Sequence, residues 1–275
     1  MMRFDDDFKG KVVFVTGGVG GIGKEICSGF AREGAKIAVA DIMAEHSKGE
    51  KTVVEAVKEL GAESIFVKVD VTSEESVLSG IDITIKTFGG LDILVNGAGT
   101  AAVNEGPPST VPLESDWDIC YNVNVKGTLF TCKAVYELFK NQQHGKIVNI
   151  ASMAGKTGSP ALPHYSATKA AVINYTQTLA RELAPYNINV NAVCPGLVWT
   201  PLWERGARIL TKLFVKVKPD ITPEEVFASE VNKLIPMKRP QTAQDVANAV
   251  LFLASEAACN ITAQAINVDG GGELR

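Results

Sequence analysis

The chain has 275 residues, enough for one large α/β domain and too many for a small stapled scaffold. Its formal net charge of −4 gives no reason to expect nucleic acid or an anionic membrane as partner, and no apolar run approaches the length of a membrane span. The five cysteines and three histidines are scattered, so neither a disulfide framework nor a protein metal site is expected, and a reducing cytoplasm is the expected compartment.

The opening, MMRFDDDFKG, is acidic and polar, without the apolar core a secretion signal needs. Next comes KVVFVTGGVGGIG, residues 11–23. Its apolar run at 12–15 reads as a strand, its glycines as a tight turn, and the pattern from Ile22 to Gly34 as a helix. That succession suits a phosphate, because glycine admits close backbone approach and the free N–H groups of a helix N-terminus meet the anion. Asp41 closes the next apolar run, eighteen residues after Gly23, near the offset of a ribose-binding carboxylate. Further strands are expected at 36–41, 64–70, 91–95, 146–151, 187–192 and 264–268. Helices are expected at 47–60, 74–88, 115–142, 165–184 and 243–254. A proline-bearing loop is expected at 106–113. This alternation predicts a single α/β domain over 1–275: one Rossmann-type, doubly wound parallel sheet of about seven strands with helices on both faces. Residues 201–236 read as its one substantial irregular insertion.

Ligands of such sheets bind beyond the carboxyl ends of the strands. The 17–23 turn, Asp41, Asp70, Asn96 to Gly99, Ser152 and Pro195-Gly196 all fall there. Tyr165 and Lys169 stand four apart at a helix start and share a face, so the ammonium can sit near the phenol. A free phenol titrates near about 10, and a cation beside it lowers that value. Such a pair can move a proton to or from a hydroxyl or carbonyl oxygen. Taken alone, the pair reads as a solvent-facing helix surface. Ser152, thirteen residues earlier at the same rim, shifts the reading toward a site, against the alternative of a serine capping a turn. Asn122 and Asn124 lie inside a helical stretch, where asparagine fits poorly. A buried asparagine there can hold a water and distort the helix, whereas an exposed one needs no role.

Together these pieces resemble the short-chain dehydrogenase/reductase family. They are Thr16 to Gly23 as TGxxxGxG, Asp70-Val71, Asn96-Gly97-Ala98-Gly99, Asn124, Ser152, Tyr165-Ser166-Ala167-Thr168-Lys169, and Pro195-Gly196 followed by Thr200. They stand in the family's order and spacing over nearly the whole chain. Gly97 departs from the pattern, which usually has a second asparagine there. The resemblance implies a catalytic tetrad: Tyr165 as general acid/base, Lys169 lowering its pKa and holding the nicotinamide ribose, Ser152 positioning the substrate oxygen, and Asn124 anchoring a water. It implies NAD as cofactor, held by Gly17, Val19, Gly21, Ile22, Asp41, Ile42, Asp70, Val71, Asn96, Gly97, Ala98, Tyr165, Lys169, Pro195, Gly196, Val198 and Thr200. Asp41 would repel a 2′-phosphate, and 16–23 contains no lysine or arginine, so NAD is expected over NADP. The resemblance also implies a homotetramer pairing the helices at 115–142 and 165–184, to which Val172, Ile173, Leu179 and Leu183 would add apolar surface.

Subgroup likenesses point to polyol (sorbitol-6-phosphate) and acetoin/butanediol dehydrogenases, hence to a secondary alcohol, polyol, sugar alcohol phosphate or small diol as substrate. A 3-oxoacyl-ACP or CoA reductase, or a 3-hydroxyacyl-CoA dehydrogenase, is the alternative, with the same catalytic residues. A non-catalytic NAD-sensing protein would be expected to lose tetrad residues, and all four are present. Within the insertion, Arg205, Arg208, Lys212 and Lys216 share one helical face, and Ile209, Leu210, Leu213, Phe214 and Val217 fill much of the rest. An amphipathic helix is expected here, its basic face either solvated surface or part of a lid that meets a substrate anion.

Overall fold

Short runs rich in valine, isoleucine and alanine make the strands. These are β1 (Val12–Thr16), β2 (Lys36–Asp41), β3 (Ser64–Lys68), β4 (Ile93–Asn96), β5 (Gly145–Ile150), β6 (Ile188–Pro195) and β7 (Ala265–Val268). The computed structural model describes residues 6–45, 51–102, 111–214 and 220–274, except the side chains of 212–214. Its seven strands form one sheet in the order β3-β2-β1-β4-β5-β6-β7, every neighbouring pair parallel. Every residue of β1 and β6 is buried, as expected where helices cover both faces and leave no side for polar alternation.

One face is covered by α1 (Gly21–Arg32), α2 (Val53–Glu59) and α9 (Ala243–Ala254), through Ile26, Phe30, Val57, Val246 and Val250. The other carries α3 (Glu74–Phe88), α5 (Gly127–Gln142) and α6 (Pro163–Leu183), through Val77, Ile81, Val135, Phe139, Leu179 and Leu183. Crossovers leave β1 toward β2 on one side, and β4 lies on the other, so strand order reverses at β1 and opens a crevice at its carboxyl end.

Several boundaries differ from expectation. Residues 46–50 lie outside the described residues. Lys51 and Thr52 are not helical, because Thr52 caps α2: its hydroxyl accepts from Glu55 N at 3.2 Å. The third strand stops at Lys68, and the fourth runs from Ile93 to Asn96 rather than from 91 to 95. The sixth runs three residues past 192, to Pro195, paired by β7 as far as Val268. The helix expected at 115–142 is three pieces: α4 (Glu114–Cys120), a π-helical turn (Tyr121–Lys126) and α5. The wide turn centres on the two asparagines, with Asn124 buried. Most of the 106–113 loop lies outside the described residues.

The amphipathic helix expected within 201–236 is present, and a second, unexpected helix follows it. They are α7 (Pro201–Phe214) and α8 (Pro223–Leu234). The second has a signal legible in the sequence: Thr222 and Glu225 exchange bonds as a capping box, with Pro223 at the first helical position.

Candidate active site

The site is built from the carboxyl ends of β1, β2, β4, β5 and β6. After β1 the chain turns at Gly17, with φ +65°. A Cβ on Gly17 would lie 2.7 Å from Ala98 N, and one on Gly23 would lie 2.1 Å from Gly17 O. Only glycine lets the turn close this tightly against α1 and the β4 exit. Gly20 caps α1 and, as glycine, turns no side chain of its own onto the first N–H groups. Thr16 Oγ1 accepts from Gly97 N and Ala98 N, both at 3.2 Å, and ties the turn to β4.

Asp41 ends β2 beside this turn. Its Oδ2 accepts from Val19 N at 3.1 Å and its Oδ1 from Ile42 N at 2.8 Å, which fixes the carboxylate at the rim. Asp70 Oδ1 accepts from Thr72 N at 2.9 Å and organises the turn into α3, while Val71 packs on Gly127. Gly196 N donates to Val268 O at 2.9 Å, and Val198 pairs with Gln241. Thr200 Cγ2 stands 3.2 Å from where a Gly21 Cβ would be, which sets the start of α7 over the phosphate turn. The open helix N-terminus, the glycine cradle and the carboxylate eighteen residues on are the parts a dinucleotide needs, so the residues present fit that cofactor.

α6 begins at Pro163, two residues before expectation, and places Tyr165 in its first turn. Lys169, one turn on, is buried; its Nζ donates to Ile150 O at 2.7 Å and lies 5.7 Å from the Tyr165 ring centroid. Ser152 caps a short turn, its Oγ accepting from Ala154 N at 3.1 Å, and stands near enough to the Tyr165 phenol to favour its charged form. Asn124 Oδ1 accepts from Thr100 N at 2.8 Å, and its Nδ2 donates to Thr100 O at 2.9 Å and Thr168 Oγ1 at 3.0 Å. A Cβ on Gly99 would lie 3.3 Å from Lys169 Nζ and 3.4 Å from Asn124 Oδ1, so both side chains border one gap. The four residues named from the sequence are brought together.

Their electrostatics differ from the simple pairing. Burial pushes the Tyr165 phenol up to about 12, with the nearby Ser152 hydroxyl pulling the other way. Burial also pushes the Lys169 ammonium down to about 8. Desolvation disfavours both charged forms, so the phenol lies above its free value and not below it as the pairing with Lys169 predicts.

A family model described as enoyl-(acyl carrier protein) reductase matches residues 17–273. The chain belongs to the short-chain dehydrogenase/reductase family. It is 38% identical to an L-2,3-butanediol dehydrogenase of Corynebacterium glutamicum, over 95% of this chain and 98% of the relative. It is 35% identical to a 3-oxoacyl-(acyl-carrier-protein) reductase of Thermotoga maritima, over 96% and 98% of the two chains. The crystal structure of an NAD+-bound xylitol dehydrogenase superposes with a TM-score of 0.84, at 33% identity, covering 96% of this chain and 99% of that one.

This short-chain dehydrogenase/reductase also relies on residues whose roles the sequence pattern does not reveal. Asn96, expected at the cofactor, turns its side chain inward: its Nδ2 donates to Asn149 Oδ1 at 2.8 Å, and its Oδ1 accepts from Thr131 Oγ1 at 2.6 Å. Asn149 Nδ2 in turn donates to Thr176 Oγ1 at 2.8 Å. An asparagine in the apolar run of β5 was the available signal. His164, buried beside Tyr165, fastens α6 to the chain after β4 through Nε2 and Ala101 O at 2.8 Å. In α7, Arg205 and Arg208 are exposed, and Arg208 Nε donates to Glu204 Oε1 at 3.2 Å. Lys216 and Val217 lie outside the described residues. Among the described residues no group of His, Cys, Asp or Glu side chains could hold a metal ion, and no helix is long and apolar enough to cross a membrane.

Proposed function

We propose that the chain is an NAD(H)-dependent oxidoreductase interconverting a secondary alcohol and its ketone, with Tyr165 as general acid/base. The observation that carries this reading is the convergence of Ser152, Tyr165, Lys169 and Asn124 on one gap beside the glycine cradle. NAD, when bound, supplies the hydride acceptor. Asp41 would take the adenosine ribose hydroxyls, the α1 N-terminus the pyrophosphate, Tyr165 and Lys169 the nicotinamide ribose, and Thr200 with the Val198 backbone the carboxamide. Ser152 orients the substrate oxygen, and Tyr165 takes or returns its proton. Lys169, with its pKa near 8, holds a proton at neutral pH beside the phenol. Asn124 is read as anchoring the water that continues the relay.

Polyols, sugar alcohol phosphates and small diols are the substrate classes proposed, in line with the butanediol and xylitol dehydrogenases among similar proteins. A second reading, reduction of 3-oxoacyl thioesters, draws on the acyl-carrier-protein reductase relative and the description of the matching family model. We further read the protein as a cytoplasmic homotetramer. Turnover of polyols, sugar phosphates, small diols and acyl-CoA thioesters with NAD and with NADP tests the reading. The expected result is preference for NAD and oxidation of an alcohol, with Tyr165→Phe losing about 10²–10⁴ in rate while still binding NAD. Preference for NADP refutes the cofactor assignment, and full activity of Tyr165→Phe refutes the mechanism.

A further inference from the structure

The first turn of α6 carries Tyr165, yet it starts without a cap. Leu162 offers no side-chain hydrogen bond, Pro163 has no N–H, and the first helical bond runs from Ser166 N to Leu162 O at 3.0 Å. Side chains around the phenol hold the turn from outside instead. His164 is buried, and its Nε2 lies 2.8 Å from Ala101 O. A carbonyl only accepts, so Nε2 is the donor. Nδ1 has no hydrogen-bond partner among the described residues, which makes this bond the ring's one polar attachment there. Trp117 of α4 meets the imidazole edge-on, with centroids 6.2 Å apart. Ala101 follows Thr100, whose N–H and carbonyl are both held by the Asn124 side chain. After Tyr165, Ser166 Oγ accepts from Ser159 N at 3.1 Å, and Thr168 Oγ1 accepts from Asn124 Nδ2 and donates to Tyr165 O at 2.8 Å. Among these side-chain ties His164 alone precedes Tyr165 in the chain.

We propose that His164 is a positioning residue for the proton step: its bond to Ala101 O sets the place of the Tyr165 phenol relative to Asn124 and the substrate oxygen. In this role His164 itself moves no proton. This rests on the dehydrogenase reading above and adds a residue to it. Helix ends fray, and a first turn without a cap frays with them. Removing the His164 tie frees the end of the turn that bears the phenol. Lys169, one turn further on, stays bonded to Ile150 O at 2.7 Å. The rate therefore suffers more than cofactor binding, since misplacing a reacting group by about 1 Å can cost about 10²-fold.

The test compares His164→Gln, His164→Asn and His164→Leu in the full chain with saturating NAD, on an alcohol the parent oxidises. A glutamine amide reaches as far as Nε2 and can still donate to Ala101 O. An asparagine amide reaches only as far as Nδ1, and leucine donates nothing. kcat is expressed per cofactor site, counted by titration with NADH and its fluorescence. The expected result is a fall in kcat of about tenfold to a hundredfold in the asparagine and leucine variants, with NADH affinity and KM for the alcohol within about threefold of the parent. The glutamine variant should recover most of kcat. Parent-like kcat in either variant lacking the donor, a loss carried by KM instead of kcat, or an equal loss in the glutamine variant overturns the inference and leaves the dehydrogenase reading standing. Failure of both the asparagine and leucine variants to bind NADH does the same, because His164 then serves the fold as a whole. A parent that binds NADH but oxidises no alcohol with NAD overturns that reading, and the inference with it.

Discussion

Lys169 is buried, yet the proposed chemistry asks it to carry a proton beside a phenol. Burial lowers its pKa from 10.5 to about 8. Between those values the unfolded chain binds a proton that the folded chain does not, so stability rises with pH across that window, and below it the full penalty stands. The penalty is roughly 3 kcal/mol at about 1.4 kcal/mol per pKa unit. Tyr165 acts in the opposite sense: raised from 10.0 to about 12, it contributes stability that is present below 10 and lost as pH rises through 12. The lysine effect is therefore read below pH 10. Lys169→Met should gain stability over the parent at pH 7, and most of that gain should disappear by pH 10. Denaturant titration of both proteins at the two pH values checks this, and an equal difference at each would show that Lys169 is not desolvated as described.

At the scale of elements, the sheet and the helices below it are joined by a buried polar chain. Thr131 of α5, Asn96 of β4, Asn149 of β5 and Thr176 of α6 hydrogen-bond in succession, and all four are buried. Such a network stabilises only while every member is satisfied. Asn149→Ala removes the acceptor of Asn96 Nδ2 and the donor to Thr176 Oγ1. Stranding a buried polar group costs about 1–3 kcal/mol, so the denaturation midpoint should fall accordingly. Because Asn149 touches none of the proposed substrate contacts, KM for the alcohol should change little. A large KM effect with unchanged stability would place Asn149 in the site instead of beneath it.

Across the whole molecule, two clefts lie away from the tetrad. A groove of about 390 Å³ between α5 and α6 is lined by Leu129, Tyr136, Tyr175 and Leu179 among others. One of about 270 Å³ at the amino ends of the strands holds Lys11, Asp92, His144 and Lys146. The α4–α5 side exposes Trp117, Tyr121 and Leu129. Of the residues expected to add apolar surface for assembly, Val172, Leu179 and Leu183 are buried within the subunit instead. In the proposed tetramer, pairing through α5 and α6 would draw on their outer faces, where Leu129 and Tyr136 border the groove. The proposed tetramer predicts four times the chain mass of 29.3 kDa in solution at micromolar concentration. Sedimentation or light scattering measures it, and a clean monomer counts against the proposal.

The sequence by itself determined the order of strands and helices, the parallel sheet, and the placing of Asp41, Ser152, Tyr165 and Lys169 at one rim. These follow from local pattern: apolar runs, glycine turns, and side chains four apart on one helix face. α8 was legible too, since Thr222-Pro223 and Glu225 spell a helix start, but the prolines and charges around it masked the signal. Tertiary structure alone decided the rest. Asn96 could face the cofactor or the core, and the partners that turn it inward lie 35 and 53 residues away. The Tyr165–Lys169 spacing could predict their proximity but not their protonation. Burial depends on everything packed around them, and it moves the phenol up to about 12 and the ammonium down to about 8. The basic face of α7 was evident in sequence, whereas the apolar cluster that joins Met153 to α7 and α8 was not. It is assembled from residues 153 to 235, and only the folded chain brings them into contact.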